Sequence, residues 1–355
     1  MDKIDIKGYK SFKESSLTLQ PLNILIGANG AGKSNFLSLF EMLGAIYDQR
    51  LVDYVARQGG VDKFLYQGRK VTEEILVKIT AGSNSYEVNL LEADGKFVIK
   101  AEKMGYKFSD GWDLRDIADY SNEARIKANS SLKRSKYIRE YLSQIRKFHF
   151  HDTGGKSPFA SESHVQNDSY LLYDKGQNLD SFLLKIRKTS PMAYARIIKV
   201  IQSVAPYFND FEFIPSDADM LRLQWRDKYS SVIYGPNDLS DGTIRFIALA
   251  TLFLQPTLPK VIIIDEPELG LHPFAIAKLA GLMRSAAARG TQIIVATQSV
   301  ELISNFEPND IVVVDQVDGV TQMRRLECAG LEHWLNDYTL GDLWKQNILK
   351  GGQPL

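Results

Sequence analysis

The sequence lacks the features that mark secreted and membrane proteins. Cysteine occurs once, as Cys328, so an internal disulfide is impossible and a reducing compartment is expected. Residues 1–14 contain no apolar stretch of the kind that signal peptides need. The apolar runs, such as the one that ends at Ile264, are far too short to cross a membrane. We therefore expect a soluble, cytoplasmic protein without a membrane partner.

An excess of charge is also lacking, since 43 Lys and Arg residues balance 43 Asp and Glu residues. Total charge thus argues neither for nor against a nucleic-acid partner. A length of 355 residues and an apolar fraction of 44% predict two domains, or one large α/β domain, with a sizeable core. Heptads sufficient for an extended coiled coil are missing, which argues against a long tether.

Apolar patterning predicts a mixed α/β fold. A buried strand is expected over 21–27, a helix over 34–47 and an antiparallel meander over 71–108. Buried strands then alternate with helices, which predicts a parallel sheet. The other predicted helices span 112–147, 178–189, 191–206, 241–254 and 273–288, and the other predicted strands span 211–234 (several short ones), 260–265, 292–297 and 310–316.

One glycine-rich stretch carries a specific chemical signal. "GANGAGKS", from Gly27 to Ser34, matches G-x-x-x-x-G-K-[ST] completely, and it follows a predicted strand and opens a predicted helix. Glycines let backbone amides curl around an anion, and the helix N-terminus adds partial positive charge. Lys33 is expected to reach the β- and γ-phosphates of ATP, and the Ser34 hydroxyl to bind Mg²⁺.

Two carboxylates follow a later buried strand. Asp265 and Glu266 come directly after "VIII", and ligands of open α/β sheets bind at this end of the strands. Asp265 suits the outer shell of Mg²⁺. Glu266 is the candidate general base that polarises the attacking water.

Five stretches, taken together and in this order, resemble the ABC-type ATPases of the SMC/RecF branch. "GYKSF" (8–12) resembles the opening of SMC heads, and "GANGAGKSN" is similar to their Walker A sequence. "LSDGT" (239–243) resembles the ABC signature, and "IIIDEPELGLHP" (262–273) resembles Walker B followed by the D-loop. "ATQS" (296–299) lies where the switch sequence is expected, with Gln298 in place of the usual histidine. The closing "LGDLWKQNILKGG" also resembles bacterial ATPases classed as RecF-like or AAA-type.

The resemblance implies an α/β P-loop NTPase fold, an ABC-ATPase-like head with a mixed or parallel sheet core, an N-terminal antiparallel β-subdomain and a helical insertion. Residues 1–110 and 210–355 would together form the head, with Walker A in one lobe and the signature, Walker B and switch in the other; 111–209 would be the insertion. The implied catalytic residues are Glu266, Gln298 and Lys33, and the implied Mg²⁺ ligands are Ser34 and Asp265. The implied ATP-binding residues are Gly27, Asn29, Gly30, Ala31, Gly32, Lys33, Ser34, Asn35, Lys10 and Ser11.

The resemblance also implies an ATP-dependent, head-to-tail homodimer, or a higher oligomer. Ser240, Asp241 and Gly242 of one copy would close over ATP held by another copy. A Q-loop glutamine is not found. His151 or Asp152 could take its place near Mg²⁺ or water, although ordinary loop residues are an equal alternative. Arg57 in "ARQGG" either senses nucleotide or DNA, or ends a solvated helix.

Two functions remain open. The first is an ATPase that acts in DNA repair or antiphage defence. The second is a slow, nucleotide-gated scaffold or sensor that controls a separate effector such as a nuclease or toxin, and Gln298 favours it because glutamine carries no proton at neutral pH. Segment 125–147, with eight Lys and Arg residues against Glu140, is either a DNA-binding surface or a solvated helix.

Overall fold

The computed structural model describes residues 1–109, 111–128, 135–154 and 157–349. The chain forms two compact units. Unit 1 comprises Met1–Ile145 and Phe306–Leu355, and unit 2 comprises Arg146–Asn305. These units do not follow the boundaries at 110 and 210 that the sequence predicts, and the grouping into a head and an insertion stays a prediction.

The strands and helices are named in chain order. The strands are β1 (Lys3–Tyr9), β2 (Phe12–Thr18), β3 (Leu22–Ile26), β4 (Glu74–Ala81), β5 (Asn84–Ala93), β6 (Lys96–Phe108), β7 (Gly111–Ser121), β8 (Ile145–Phe148), β9 (Ser163–His164), β10 (Phe208–Glu212), β11 (Met220–Leu221), β12 (Gln224–Asp227), β13 (Ile233–Tyr234), β14 (Val261–Asp265), β15 (Gln292–Thr297), β16 (Ile311–Val317) and β17 (Val320–Arg325). The α-helices are α1 (Lys33–Tyr47), α2 (Leu51–Arg57), α3 (Ser135–Ser143), α4 (Leu179–Thr189), α5 (Pro191–Val204), α6 (Asp241–Leu254), α7 (Pro273–Ala288), α8 (Val300–Ile303), α9 (Glu332–Leu335) and α10 (Leu340–Lys345).

An antiparallel sheet of order β2-β1-β4-β5-β6-β7 forms one layer of unit 1. Its buried positions alternate with half-buried ones, as in β4, where Ile75, Val77 and Ile79 are buried. The predicted meander over 71–108 is thus confirmed. Its register, with Val77 opposite Val88, places the apolar side chains of neighbouring strands on the same face.

The predicted helix over 112–147 is wrong in its first part. Residues 111–121 form β7, which pairs with β6 along its length and lies at the end of the sheet. Ala118 is its one buried residue, so the strand is held by backbone hydrogen bonds and carries no apolar alternation that a sequence could show. Helix α3 covers 135–143.

Unit 1 also contains the strand that leads to the glycine-rich loop. All five residues of β3 are buried, and β3 pairs in parallel with β16, which pairs antiparallel with β17. The predicted strand over 310–316 is confirmed, whereas β17 was not predicted. Helix α1 follows the loop and is buried around most of its circumference, with Phe36, Leu37 and Leu39 among its buried residues.

Unit 2 contains the second parallel pair, β14 and β15, whose register places Asp265 opposite Ala296. Helices α6 and α7 cover 241–254 and 273–288, as the sequence predicts. Helices α4 and α5 and the antiparallel group β10-β12-β13 complete the unit. Among the described residues of the whole chain, no helix is long and apolar enough to span a bilayer.

Candidate functional site

The glycine-rich loop links β3 to α1 in a shape that only glycine can adopt at one key position. Gly32 precedes the helix with φ of 111°, in the left-handed region. A Cβ placed there would lie 2.2 Å from Thr321 Oγ1. A Cβ on Gly27 would lie 2.2 Å from the Val314 carbonyl oxygen. The close approach of β16 therefore requires glycine at 27, whereas at 32 glycine is required both by the close approach of β17 and by the positive φ.

Lys33 lies inside this loop. Its side chain is 7% exposed, and Nζ donates to the carbonyl oxygens of Gly27 at 2.6 Å and Ala28 at 2.9 Å. Ser34, in the first turn of α1, is exposed. Asn29 and Gly30 at the tip of the loop are exposed as well. A lysine head and a helix N-terminus thus share one short loop, which is the donor set that binds phosphate groups.

Thr321 supports the loop from β17. Its hydroxyl lies 2.7 Å from Ser11 Oγ and 2.9 Å from the Ala31 carbonyl oxygen. Asn35 donates from Nδ2 to Ser11 Oγ at 2.9 Å. Ser11 and Asn35, both predicted to bind ATP, therefore brace the loop, and Thr321 is a supporting residue that sequence reasoning missed. It is distant in sequence and belongs to no recognisable pattern.

Lys10 lies beside the start of α1. It has a positive φ of 48°, its Nζ donates to Ser38 Oγ at 2.8 Å, and the same ammonium lies 5.5 Å from the ring centroids of Tyr9 and Phe64. The hydroxyl of Tyr9 also contacts Ser38 Oγ, at 2.9 Å. Lys10 is thus fixed against α1 in unit 1, and its role in ATP binding stays a prediction.

In unit 2 two predicted catalytic side chains contact each other. Strands β14 and β15 are parallel, so Glu266 and Gln298, each one residue past its strand, emerge at the same edge. Gln298 Nε2 donates to Glu266 Oε1 at 2.9 Å. The backbone of Glu266 has a positive φ of 41°, and its N–H donates to the Ala296 carbonyl oxygen at 2.8 Å. This uncommon conformation for a non-glycine residue fixes where the carboxylate points.

Behind this pair lies a second carboxylate, Glu268, which the sequence analysis did not single out. It is 8% exposed and accepts a short hydrogen bond from the hydroxyl of Thr297. The same hydroxyl accepts from the Ser299 N–H at 2.9 Å. Burial raises the pKa of Glu268 to about 6, while the hydrogen bonds from Thr297 and from the Gln298 backbone act in the opposite direction.

The signature residues lie at the start of α6. Ser240 caps the helix, accepting from the Thr243 N–H at 3.2 Å, and Ser240 and Asp241 are exposed. A Cβ on Gly242 would lie 2.3 Å from the carbonyl oxygen of Gly270 in the predicted D-loop. Glycine is therefore needed here so that the helix can lie directly against the D-loop backbone.

Arg245, one turn further along α6, was also missed. It is 5% exposed, and its guanidinium donates to the carbonyl oxygens of Phe150 at 3.0 Å, His151 at 3.2 Å and Leu269. Burial lowers its pKa, as expected for a cation that is partly desolvated. One side chain thus joins the signature helix, the D-loop and the segment after β8.

The remaining predicted site residues are His151, Asp152 and Arg57. His151 contacts the Asp265 carbonyl oxygen through Nε2 at 2.8 Å, and Asp152 is exposed. The ring of His149 lies 4.3 Å from that of His151, and burial, followed by the charge of His151, lowers the His149 pKa. Arg57 is exposed on α2 and pairs with Asp53 at 3.0 Å, one turn earlier.

Segment 125–147 is described only in part, because 129–134 lie outside the described residues. Lys127 pairs with Asp48 at 3.0 Å and lies 5.4 Å from the ring centroid of Tyr47. Lys136 on α3 is exposed, as is Tyr137. The use of segment 125–147 as a DNA-binding surface stays a prediction.

Residues 22–304 match the family described as "AAA domain, putative AbiEii toxin, Type IV TA system". The OLD nuclease of Thermus scotoductus is 23% identical over 366 residues, which cover 96% of this chain and 67% of that protein. An energy-coupling factor transporter ATP-binding protein of Lactobacillus delbrueckii subsp. bulgaricus is 24% identical over 137 residues. This match covers 38% of the chain and 47% of the transporter protein, so the chain spans less than half of that relative.

Among solved structures, the fold is similar to that of an Smc head bound to the C-winged helix domain of ScpA. The TM-score is 0.59 at 15% identity, with 94% of this chain and 99% of that chain covered. At this identity the likeness shows the fold alone. With the family match over most of its length, the chain belongs to the AAA family named above and is a P-loop ATPase of the ABC/SMC-like type.

Proposed function

We propose that the chain hydrolyses ATP with Mg²⁺ in a homodimer whose active sites are shared between two copies. The observation that carries this proposal is the hydrogen bond from Gln298 to Glu266, since it holds a carboxylate at the carboxyl ends of two parallel strands, where α/β proteins bind ligands. The family match and the complete phosphate-binding sequence support it.

In this proposal the phosphate loop of unit 1 binds the nucleotide. Backbone amides of Gly30, Ala31 and Gly32 surround the phosphates, and Lys33 contacts the β- and γ-phosphates. Mg²⁺ requires oxygen ligands, and the residues present fit it: Ser34 has an exposed hydroxyl, and Asp265 has a carboxylate at the end of β14.

Glu266 then acts as general base in the hydrolysis step. Its carboxylate takes a proton from water as the oxygen attacks the γ-phosphorus, the bond to the β,γ-bridging oxygen breaks, and ADP leaves with phosphate. Gln298 orients Glu266 through its amide and can contact the water or the γ-phosphate. A glutamine cannot relay a proton, so turnover is expected to be slow.

The signature residues would serve the other copy. Ser240 and Asp241 are exposed at the N-terminus of a fourteen-residue helix, so their hydroxyl and backbone amides can approach phosphates held by a partner. Each copy would therefore carry every part of the site, but a complete site would need two copies.

We propose DNA repair or antiphage defence as the setting. The description of the family names a toxin and a type IV toxin–antitoxin system, and one relative is a nuclease. A second candidate is a nucleotide-gated scaffold that holds a separately encoded effector in check. Gln298 favours this candidate because it makes ATP binding, rather than rapid turnover, the main signal.

The test measures assembly and turnover together. Wild type and Glu266→Gln are sized by light scattering with and without MgATP, and phosphate release is followed in parallel. We expect a stable ATP-bound dimer of Glu266→Gln with turnover reduced by about 10²-fold or more. A variant that stays monomeric with ATP would refute the shared site, and wild type without any phosphate release would refute hydrolysis.

A further inference from the structure

A hydrogen bond to a buried hydroxyl joins the two residues that flank Gln298. Thr297, the residue before it, uses that hydroxyl to accept from the N–H of Ser299, the residue after it, at 2.9 Å. A hydroxyl has one proton to give, and the hydroxyl of Thr297 gives it to Oε1 of Glu268. The turn that carries Gln298 is thus closed by one side chain whose orientation is set by Glu268.

The burial of Glu268 at this position is energetically unfavourable. It is 8% exposed, and its Oε2 atom is buried without a hydrogen-bond partner among the described residues. Burying a carboxyl group that is only half satisfied costs free energy. A structural role in the core would be better met by an apolar side chain, so the position is explained by what Glu268 holds.

Through its hydrogen bond with Thr297, Glu268 is connected to the catalytic pair Glu266 and Gln298. The carboxyl group orders Thr297, the turn 297–299 is thereby fixed, and the Gln298 amide reaches Glu266 Oε1 at 2.9 Å. Glu266 and Glu268 lie two residues apart on one side of the site, and Thr297 and Gln298 are adjacent on the other. Two parallel crosslinks therefore join the end of β14 to the end of β15.

We infer that Glu268 is a positioning residue that sets the switch residue Gln298 against the base Glu266 by fixing the hydroxyl of Thr297. This inference rests on the proposed hydrolysis. It does not require Glu268 to touch ATP, water or Mg²⁺. The phosphate loop lies in unit 1, so nucleotide affinity is expected to be unaffected by changes at Glu268.

The experiment compares disruptive with conservative substitutions. Glu268→Ala and Thr297→Val remove the crosslink, whereas Glu268→Gln keeps an oxygen acceptor and Thr297→Ser keeps the hydroxyl. We expect the first two to lower kcat by about tenfold to 10²-fold, the scale of a misplaced catalytic group, with the Kd for ATP changed by less than about twofold. Glu268→Gln and Thr297→Ser should retain about half or more of wild-type kcat.

A matched control lies at the opposite end of the same strand. Thr291 is also buried, and its hydroxyl donates to the Pro259 carbonyl oxygen at 3.0 Å. Thr291→Val therefore removes a buried hydroxyl from β15's other end and should keep wild-type kcat. The inference is wrong if Thr297→Val is as active as Thr291→Val, if Glu268→Gln is as impaired as Glu268→Ala, or if ATP binding falls as much as kcat.

A second readout separates this inference from the proposed function. Hydrogen exchange of the peptide 298–303, which includes the Ser299 N–H, is measured in every variant. Glu268→Ala and Thr297→Val should accelerate it, whereas Thr291→Val should not. Should wild type release no phosphate, the proposed hydrolysis fails, and unchanged exchange in Glu268→Ala would then also overturn the positioning role of Glu268.

Discussion

The phosphate loop in unit 1 and the acidic strand end in unit 2 achieve precision in different ways. The loop is one short run of sequence packed tightly against β16 and β17: a Cβ on Gly27 or Gly32 would meet Val314 or Thr321, and Lys33 bonds to carbonyl oxygens within the loop. The strand end is shaped by side chains from elsewhere in unit 2, chiefly Arg245 and Glu268. The first arrangement leaves no space for a side chain at either glycine, whereas the second depends on a network of side chains that can be altered one at a time.

The largest expected effect separates binding from turnover. Lys33→Ala should abolish ATP binding and hydrolysis together, because it removes the cation of the phosphate loop. Glu266→Gln should bind ATP normally while kcat falls by about 10²–10⁴-fold. Calorimetric titration with MgATP and a phosphate-release assay check this. Equal loss of binding in both variants would show that the two regions do not have separate tasks.

Next in size is the effect of Ser240→Arg, which tests whether the signature acts on another copy. A bulky cation at this exposed helix start should stop turnover yet leave ATP binding intact. Mixing it with Lys33→Ala should restore part of the activity, since one shared site then holds an intact loop and an intact Ser240. If the mixture is as inactive as either variant alone, the signature does not work in trans.

A smaller effect is expected when the network of unit 2 is cut. Arg245→Met leaves the carbonyl oxygens of Phe150, His151 and Leu269 without their donor. Loss of such buried hydrogen bonds should lower the free energy of unfolding by about 2–3 kcal/mol. The matched control is Arg222→Met, which breaks an exposed pair with Glu162 and should cost about 0.5 kcal/mol or less. Urea unfolding of both variants measures the difference, and similar losses would contradict a central role for Arg245.

The pH dependence of stability gives a further test in unit 2. Burial raises the pKa of Asp180 to about 6 from an ordinary value of 3.8, despite the hydrogen bond from Ser163. A raised carboxyl pKa means that the folded state favours the protonated form, so the contribution of Asp180 to the free energy of unfolding is greatest below about pH 4 and is lost as pH rises through 6. Asp180→Asn cannot ionise and should lack this loss, which amounts to roughly 2–3 kcal/mol.

The measurement is urea unfolding of wild type and Asp180→Asn between pH 4 and pH 7. Any constant cost of the amide shifts the whole curve, so the slope against pH is the quantity that decides. Asp217→Asn, at an exposed position, is measured in parallel as a control for the substitution of a carboxyl by an amide. Parallel curves for wild type and Asp180→Asn would refute the effect.

The smallest effect is expected on the affinity for DNA. It tests whether unit 1 has a task besides the proposed binding of ATP. Replacing Lys136 and Arg139 on α3 with glutamate should weaken DNA binding and reduce the salt slope by about 1 for each DNA phosphate that is no longer neutralised. Binding is titrated at several salt concentrations, with Arg115→Glu on β7 as a control for charge alone. Unchanged affinity and slope would remove α3 from the DNA-binding surface.

Much of the fold follows from local patterns. The bounds of α6 and α7, the meander from β4 to β6 and the order strand, loop, helix around Gly27–Ser34 all result from apolar periodicity and from what glycine and proline permit. Strand β7 could not be predicted, because an edge strand exposed on both faces has no periodic apolar side. Strand β17 follows β16 through a tight turn and has one buried residue, Thr321.

The sequence by itself determined the class of the protein, because the residues of a phosphate loop are consecutive and their pattern can be read directly. It also marked Glu266 and Gln298 as catalytic candidates, whereas their contact is seen only in the structure. Only the tertiary structure decided which residues support the loop and the two strand ends. Arg245, Glu268, Thr297 and Thr321 act through atoms that are distant in sequence, and their contacts depend on how β14, β15 and α6, or β3 and β17, pack together.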